Sequence, residues 1–192
     1  MRNAELSRGD VEELSGTLRT LGRRKGWLLD SRSGITADEI IRSVRRRKRE
    51  NGTKVVLVDY VQLVKKPPRV SPHEALTDIV TSFSDAAKQD GMAYVVMSQL
   101  NRELEKRTDK RPQLSDLRES GSLEERAKCV VGVYRGSVYG RPQKGIDWDP
   151  TKEREPTEGE FEQTAQLIVL KNSNGRTGLV RAKWHGPTTR ME

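Results

Sequence analysis

Short apolar runs alternate with amphipathic stretches along most of this chain. The central run, Val55–Val58, is an unbroken series of aliphatic residues preceded by the turn-forming pair Asn51-Gly52. Such a run predicts a strand inside a sheet that helices cover on both faces. It ends at Asp59, and α/β sheets bind ligands at the carboxyl ends of their parallel strands. The aspartate therefore either caps a turn or holds magnesium on the phosphates of a nucleotide, as in nucleotide-hydrolysing enzymes.

Further apolar runs have the length and composition of strands. They are Trp27–Asp30, Ala93–Met97, Cys129–Tyr134, Gln166–Leu170 and Leu179–Trp184. The pair Asn174-Gly175 separates the last two and is a strong signal for a tight turn. The chain is therefore predicted to end in a β-hairpin.

Helical periodicity fills the intervals between these runs. Capping boxes, in which a Ser or Thr and a Glu three residues later satisfy each other's backbone amides, mark helix starts. They occur at Thr36-Glu39, Ser71-Glu74 and Ser122-Glu125, and the first two helices are predicted to reach about Glu50 and Lys88. Residues 114–120 and 122–128 are predicted to be helical around Gly121. Strands alternating with helices predict an α/β fold on a mostly parallel sheet with right-handed crossovers.

The domain organisation follows from the same pattern. Residues 1–26 are polar and basic, with a predicted helix over 11–24, and residues 27–192 form one domain. Within it, Gly136–Gln163 is rich in Gly, Pro and charge and lacks periodicity. This segment is predicted to be a mobile insertion.

Charge and cysteine content narrow the function. Lys and Arg total 36 against 28 Asp and Glu among 192 residues, a net charge of +8. This excess favours a polyanionic partner such as nucleic acid or nucleotide, although it also serves solubility. The single cysteine, Cys129, rules out an intrachain disulfide and suits a reducing compartment. The sequence contains no signal peptide and no membrane-spanning run, which predicts a cytoplasmic protein with no membrane partner.

A run of five basic residues, Arg45–Arg49, closes the first predicted helix. Such a run either contacts nucleic acid or forms a solvated helix face whose positive charge suits the C-terminal end of the helix dipole. The sequence leaves both interpretations open.

Four blocks then resemble the ATPase domain of the DnaB-type replicative DNA helicases. They are SGITADEIIRSVRRRKRE at 33–50, DYVQL at 59–63, SQLNRELEKRTDKRPQLSDLRESGSLEERA at 98–127 and LIVLKNSNGRTGLVRAKW at 167–184. The resemblance extends from about residue 27 to 186 in the order and spacing of the family. It implies a RecA-like fold, a hexameric ring around single-stranded DNA, ATP and Mg²⁺ between subunits, and a primase or loader partner. Hydrolysis would drive translocation and strand separation at the replication fork.

The resemblance also assigns roles to residues at the nucleotide. Asp59 matches the aspartate that holds magnesium, a hard cation that prefers oxygen ligands. Gln99 matches a polar sensor of the terminal phosphate, although a glutamine there also satisfies loop backbone. Lys171 matches a lysine that reaches the ATP of the neighbouring subunit. The family places its arginine finger where this chain has Ser173, and Arg176 is the candidate replacement. The role of Arg181 stays open.

For DNA, the resemblance implies a central-channel loop that contains Arg118, Glu119 and Gly121. Arginine can meet phosphate with two hydrogen bonds, and glycine allows close approach of backbone amides. Contacts to phosphates alone give strong salt dependence and little sequence preference. Arg102, Lys106, Arg107 and Lys110 either add positive field to the same channel or are ordinary loop charges.

One motif of the family does not occur in this chain, the phosphate-binding G-x-x-x-x-G-K-[ST]. The resemblance places it, together with the catalytic glutamate, upstream of Met1. The chain is therefore expected to be part of an ATP-dependent helicase and inactive by itself. The alternative is a catalytically inactive DNA-binding or ring-interaction module. A third possibility, a RecA-like ATPase of the recombinase branch, is disfavoured by the SDLRESGS block.

Overall fold

The computed structural model describes residues 29–148, 151 and 153–192, together with positions 9, 12 and 16; for residues 118–122 it describes the backbone. The backbone is helical at 9, 12 and 16, and the rest of the predicted N-terminal helix lies outside the described residues. Residues 27 and 28 of the predicted first strand also lie outside them. Leu29 and Asp30 do not belong to a strand, and the Leu29 side chain is exposed.

Two long helices begin at the predicted capping boxes. Helix α1 is Ala37–Asn51, and helix α2 is Pro72–Asp90. At the start of α1, the Glu39 amide donates to Thr36 Oγ1 over 3.3 Å, and the Thr36 amide donates to Glu39 Oε2 over 2.8 Å. Both helices end at a glycine in the left-handed conformation, with φ of 67° at the first, Gly52. A residue with a side chain rarely adopts that conformation, so glycine is well suited to stop the helix there.

The predicted central strand, β1 (Val55–Val58), pairs in parallel with β2 (Ala93–Val96). One face of this parallel pair packs on α1 and α2 and forms the main apolar core. The core residues of the pair and of α2 are Val56, Val58, Leu76, Ile79, Val80, Phe83 and Ala86. The other face is exposed and carries Val55, Leu57, Val95 and Met97. Burial on both faces was expected, and within the described residues one face is covered.

The remaining strands form a separate antiparallel sheet in the order β3-β4-β5-β6. Its strands are β3 (Cys129–Tyr134), β4 (Thr164–Asn172), β5 (Gly178–His185) and β6 (Arg190–Met191). Two short helices, α3 (Gly121–Arg126) and α4 (Glu158–Glu162), precede β3 and β4. The α/β class and the C-terminal hairpin, β4–β5, are confirmed. The two-residue strand β6 was not predicted.

The predicted insertion, 136–163, contains more local structure than its composition suggested. A 3-10 helix covers Gly136–Tyr139, and α4 begins at a capping box on Thr157 and buries Phe161. Asp147 is also buried, and its carboxylate accepts from the Gln143 amide over 2.7 Å. Burial raises the pKa of the Asp147 carboxyl. The segment is therefore packed against β4 in places, and its mobility stays a prediction.

Among the residues that the structure describes, no helix combines the length and apolarity needed to cross a bilayer.

Candidate functional site

The carboxyl edge of the parallel pair carries the two residues on which the predicted nucleotide site depends. Asp59 follows β1 directly, and Gln99 lies three residues beyond β2. The backbones stay together past the strands, because the Met97 amide donates to Val58 O over 2.9 Å and the Val61 amide donates to Met97 O over 3.0 Å. Both side chains are exposed. The parallel arrangement thus brings Asp59 and Gln99 to the same edge of the sheet.

Gln62 joins the two strand ends and was not predicted as a site residue. Its Nε2 donates to Ser98 Oγ over 2.9 Å, and its Oε1 accepts from the Gln99 amide over 3.3 Å. Gln62 therefore fixes the backbone of Gln99 relative to the loop that follows Asp59. Its place in the DYVQL block, three residues after the aspartate, was the available signal.

The described residues contain no cluster of three or more His, Cys, Asp or Glu side chains that would hold a metal by themselves. Asp59 instead offers a single exposed carboxylate at the ligand-binding edge. Mg²⁺ in nucleotide sites commonly takes one or two carboxylates and completes its shell with phosphate oxygens and water. The geometry around Asp59 fits that mode of binding.

The predicted DNA loop lies at the junction of two short helices. Arg118 and Glu119 belong to a 3-10 helix, Leu114–Ser120, and Gly121 begins α3. Leu117 on one side of the junction and Leu123 on the other are both buried, and Leu123 belongs to the main core. The backbone of the junction is thus anchored on both sides. The side chains of residues 118–122 lie outside the described part of the chain, as does the third capping box.

The positive residues that precede this junction differ in their surroundings. Arg102 is exposed, and Lys106 forms an exposed ion pair with Glu103 over 2.8 Å. Lys110 Nζ donates to Arg107 O over 2.8 Å. Arg107, predicted to face DNA, forms an ion pair with the buried Asp116. Of this group, Arg102 has the surroundings expected of a free phosphate ligand.

The basic run Arg45–Arg49 is largely engaged within the chain. Arg45 Nε donates to Asp90 Oδ2 over 2.8 Å, and Lys48 donates to the carbonyl of Asp90. Arg46 and Arg47 each approach Glu50, at 4.0 and 3.7 Å. These contacts favour the interpretation of the run as a structural and solvated helix end.

The end of β4 carries the lysine predicted to act on a neighbouring subunit. Lys171 Nζ donates to Glu124 O over 2.5 Å and to Glu125 O over 3.1 Å. It therefore stabilises the C-terminal end of α3, where carbonyls lack partners within the helix and the dipole favours a cation. Arg176 is exposed in the turn after β4. Arg181 pairs with Glu153 and also donates to Asp147 O over 3.2 Å, so it ties β5 to the predicted insertion.

The strand ends and the two sheets define an α/β protein with a ligand edge of the kind found in nucleotide-hydrolysing proteins. Over residues 1–192 the chain matches the model of the DnaB-like helicase C-terminal domain. The chain belongs to that family.

Curated relatives and solved structures agree with this assignment. The replicative DNA helicase DnaB of Buchnera aphidicola subsp. Acyrthosiphon pisum is 34% identical over 197 residues, which cover 100% of this chain and 39% of the relative. The DnaB of Haemophilus influenzae is 35% identical, over 88% of this chain and 33% of the relative. The chain therefore spans between a third and two fifths of the length of these relatives.

Two solved structures share the fold. A helicase ATPase domain superposes with a TM-score of 0.81 at 26% identity, covering 97% of this chain and 61% of that one. A DnaB-like replicative helicase, studied with its interactions with primase, gives a TM-score of 0.78 at 27% identity over 96% of this chain and 42% of that chain. The RecA-like fold predicted from the sequence is confirmed.

Proposed function

We propose that this chain is the distal part of the ATPase domain of a replicative DNA helicase, which moves on single-stranded DNA and separates the duplex at the fork in the cytoplasm. The observation that carries the proposal is the shared edge of β1 and β2, with Asp59 and Gln99 exposed side by side in the chain's only parallel pairing among the described strands. The family match over the full chain supports it.

The roles of the residues follow from their chemistry. Asp59 supplies a carboxylate to Mg²⁺, and ATP supplies the phosphoryl group whose transfer to water releases the energy for movement. Gln99, held by Gln62, is placed to hydrogen-bond a terminal phosphate or its attacking water. Arg118 donates to DNA phosphates, and the glycine at 121 leaves room for a phosphate to approach the backbone.

The hexameric ring and a primase or loader partner belong to the proposal as well. One solved neighbour is described by its interactions with primase. The open apolar face of the parallel pair supports a role within a larger domain, because a soluble domain rarely leaves a contiguous aliphatic sheet face in water. We propose that the phosphate-binding part of the ATPase domain covers this face.

Binding to single-stranded DNA tests the channel assignment. We expect Arg118→Ala to weaken binding of an oligothymidine several-fold and to lower the slope of log K against log salt by about 0.7, the value for one lost phosphate contact on a single strand. Arg49→Ala is the matched control, because it removes one exposed arginine from the basic run. Equal losses in both variants would assign DNA binding to the helix end, and unchanged binding in Arg118→Ala would contradict the channel assignment.

Hydrolysis tests the nucleotide assignment. The purified chain contains no G-x-x-x-x-G-K-[ST] sequence, so we expect no DNA-stimulated release of phosphate from ATP above buffer. Turnover that survives purification and disappears in Asp59→Ala would show that the chain hydrolyses ATP without this loop. That result would contradict the alternative of a catalytically inactive module.

Lys171 links the two proposed sites. In this structure it holds the end of α3, whereas its proposed target is the nucleotide of a neighbouring subunit. We expect Lys171→Met to speed amide hydrogen exchange in residues 123–128 several-fold, because the C-terminal carbonyls of α3 lose their donor. Lys183→Met is the control on β5. Unchanged exchange at 123–128 would show that the lysine does not hold α3 in solution.

A further inference from the structure

Arg107 was predicted to contact DNA, yet the structure places its guanidinium on a buried carboxylate. Arg107 Nη1 donates to Asp116 Oδ1 over 3.1 Å, and Nη2 donates to Asp116 Oδ2 over 2.8 Å. Asp116 is 6% exposed and Arg107 29%. Two parallel bonds between a guanidinium and a carboxylate fix orientation as well as distance.

The same two residues also hold the backbone of the segment. Asp116 Oδ2 accepts from the Gln113 amide over 2.8 Å, and Asp116 O accepts from the Asn101 amide over 3.0 Å. Arg107 Nη2 donates to Arg111 O over 3.0 Å. One ion pair thus joins the start, the middle and the end of the segment 101–116.

The position of this pair relative to the DNA loop gives it a function. Asp116 lies in the 3-10 helix Leu114–Ser120, two residues before Arg118. A guanidinium already committed to two carboxylate oxygens and a carbonyl has little donor capacity left for phosphate. Its loss would leave the Asp116 carboxylate buried without its partner, which is unfavourable.

We propose that Arg107 and Asp116 are positioning residues that set the orientation of the 3-10 helix carrying Arg118, and that Arg107 does not contact DNA. The pair, called here the Arg107–Asp116 clasp, organises the segment before DNA arrives. The structural part of this proposal stands on the clasp alone, and its effect on binding rests on the proposed DNA function.

The first experiment measures the clasp without DNA. Site-resolved amide exchange in the full chain should show Asn101, Gln113 and Asp116 exchanging about tenfold faster or more in Arg107→Ala. Arg107→Lys should behave like Arg107→Ala, because a lysine keeps the charge but lacks the fork. Unchanged exchange of these amides in both variants would overturn the clasp, whether or not the chain binds DNA.

The second experiment uses charge to separate positioning from contact. Asp116→Asn and Asp90→Asn each remove one negative charge beside an arginine, since Asp90 pairs with Arg45 at 2.8 Å. If electrostatics alone governed binding, both variants would bind an oligothymidine slightly more tightly. Positioning predicts that Asp116→Asn binds several-fold more weakly while Asp90→Asn does not.

The salt dependence completes the test. The slope of log K against log salt should stay the same in Arg107→Ala, whereas a lost phosphate contact would lower it by about 0.7. A lowered slope, or tighter binding by Asp116→Asn, would overturn the proposal. If the parent chain binds no single-stranded DNA, the proposed function fails for this chain, and the exchange experiment still decides the clasp.

Discussion

The two faces of the parallel pair carry the same kind of side chain but have opposite environments. Val56 is 9% exposed, whereas its neighbour Leu57 is 51% exposed. The packed face rests on α1 and α2, and the open face lies free in the described part of the chain. The comparison shows that the helices described here supply cover for half of the sheet's apolar surface. The rest of that surface is available to further structure of the same domain or to a partner.

The largest effect is expected beneath the packed face. Phe83 is almost fully buried on α2 and stacks on Tyr94 of β2 with 5.5 Å between ring centroids. Phe83→Ala should lower the free energy of unfolding by about 3–5 kcal/mol, because it removes a ring and leaves a cavity. Urea unfolding followed by circular dichroism measures this. A loss below about 1 kcal/mol would mean that this face is not the main source of stability.

A pair of adjacent substitutions tests the two faces directly. Val56→Ala should lower the free energy of unfolding by about 1.5–3 kcal/mol, since its side chain is buried. Leu57→Ala removes more apolar volume but should cost less than about 1 kcal/mol, because roughly half of that side chain already meets water. Equal losses would show that Leu57 is covered in solution, and the comparison of the two faces would then fail.

A charge on the open face should have a smaller effect on folding and a visible effect on association. An exposed aliphatic sheet face favours self-association. Leu57→Lys should therefore reduce concentration-dependent association in sedimentation velocity while changing the free energy of unfolding by less than about 1 kcal/mol. Lys54→Glu, at the exposed start of the same strand, controls for the effect of altered charge. If Leu57→Lys associates as the parent does, the open face is not a contact surface between copies.

The sequence predicted local elements better than their environments. The capping boxes at Thr36 and Ser71 gave helix starts that the structure confirms to the residue, because a box depends on side chains only three positions apart. The run Val55–Val58 predicted its strand equally well. It did not predict which face would be covered, since an unbroken apolar run indicates that both faces are suited to burial without indicating what lies on them.

The candidate site divides in the same way. Asp59 and Gln99 were predicted to share an edge, and the parallel register brings them there. Arg107 and Lys171 were assigned to ligands from the resemblance, whereas their side chains are engaged with Asp116 and with the end of α3. These partners are nine and 47 residues away in sequence. Long-range pairing of exposed-type residues leaves no periodic signal in the chain, so sequence reasoning could not find it.

The smallest effect concerns a polar atom within the packed face. The ring of Tyr94 packs on Phe83, but its hydroxyl is buried without a hydrogen-bond partner among the described residues. Burial raises the pKa of Tyr94, and the nearby carboxylate of Asp90 raises it further, whereas Arg45 opposes the shift. Tyr94→Phe keeps the ring and removes the unpaired hydroxyl. At pH 7 it should leave the free energy of unfolding equal to that of the parent or up to about 1 kcal/mol higher.

The pH dependence gives this substitution its sign. The pKa of Tyr94 is higher in the folded than in the unfolded chain, so the folded state resists loss of the phenolic proton. The stability linked to that proton is fully present below the unfolded pKa, about 10, and is lost as pH rises through the raised folded value. Urea unfolding at pH 7 and at pH 10.5 should therefore show a larger loss for the parent than for Tyr94→Phe. Equal losses would mean that the hydroxyl reaches water, and the packed face would then be more open at β2 than the burial of its neighbours implies.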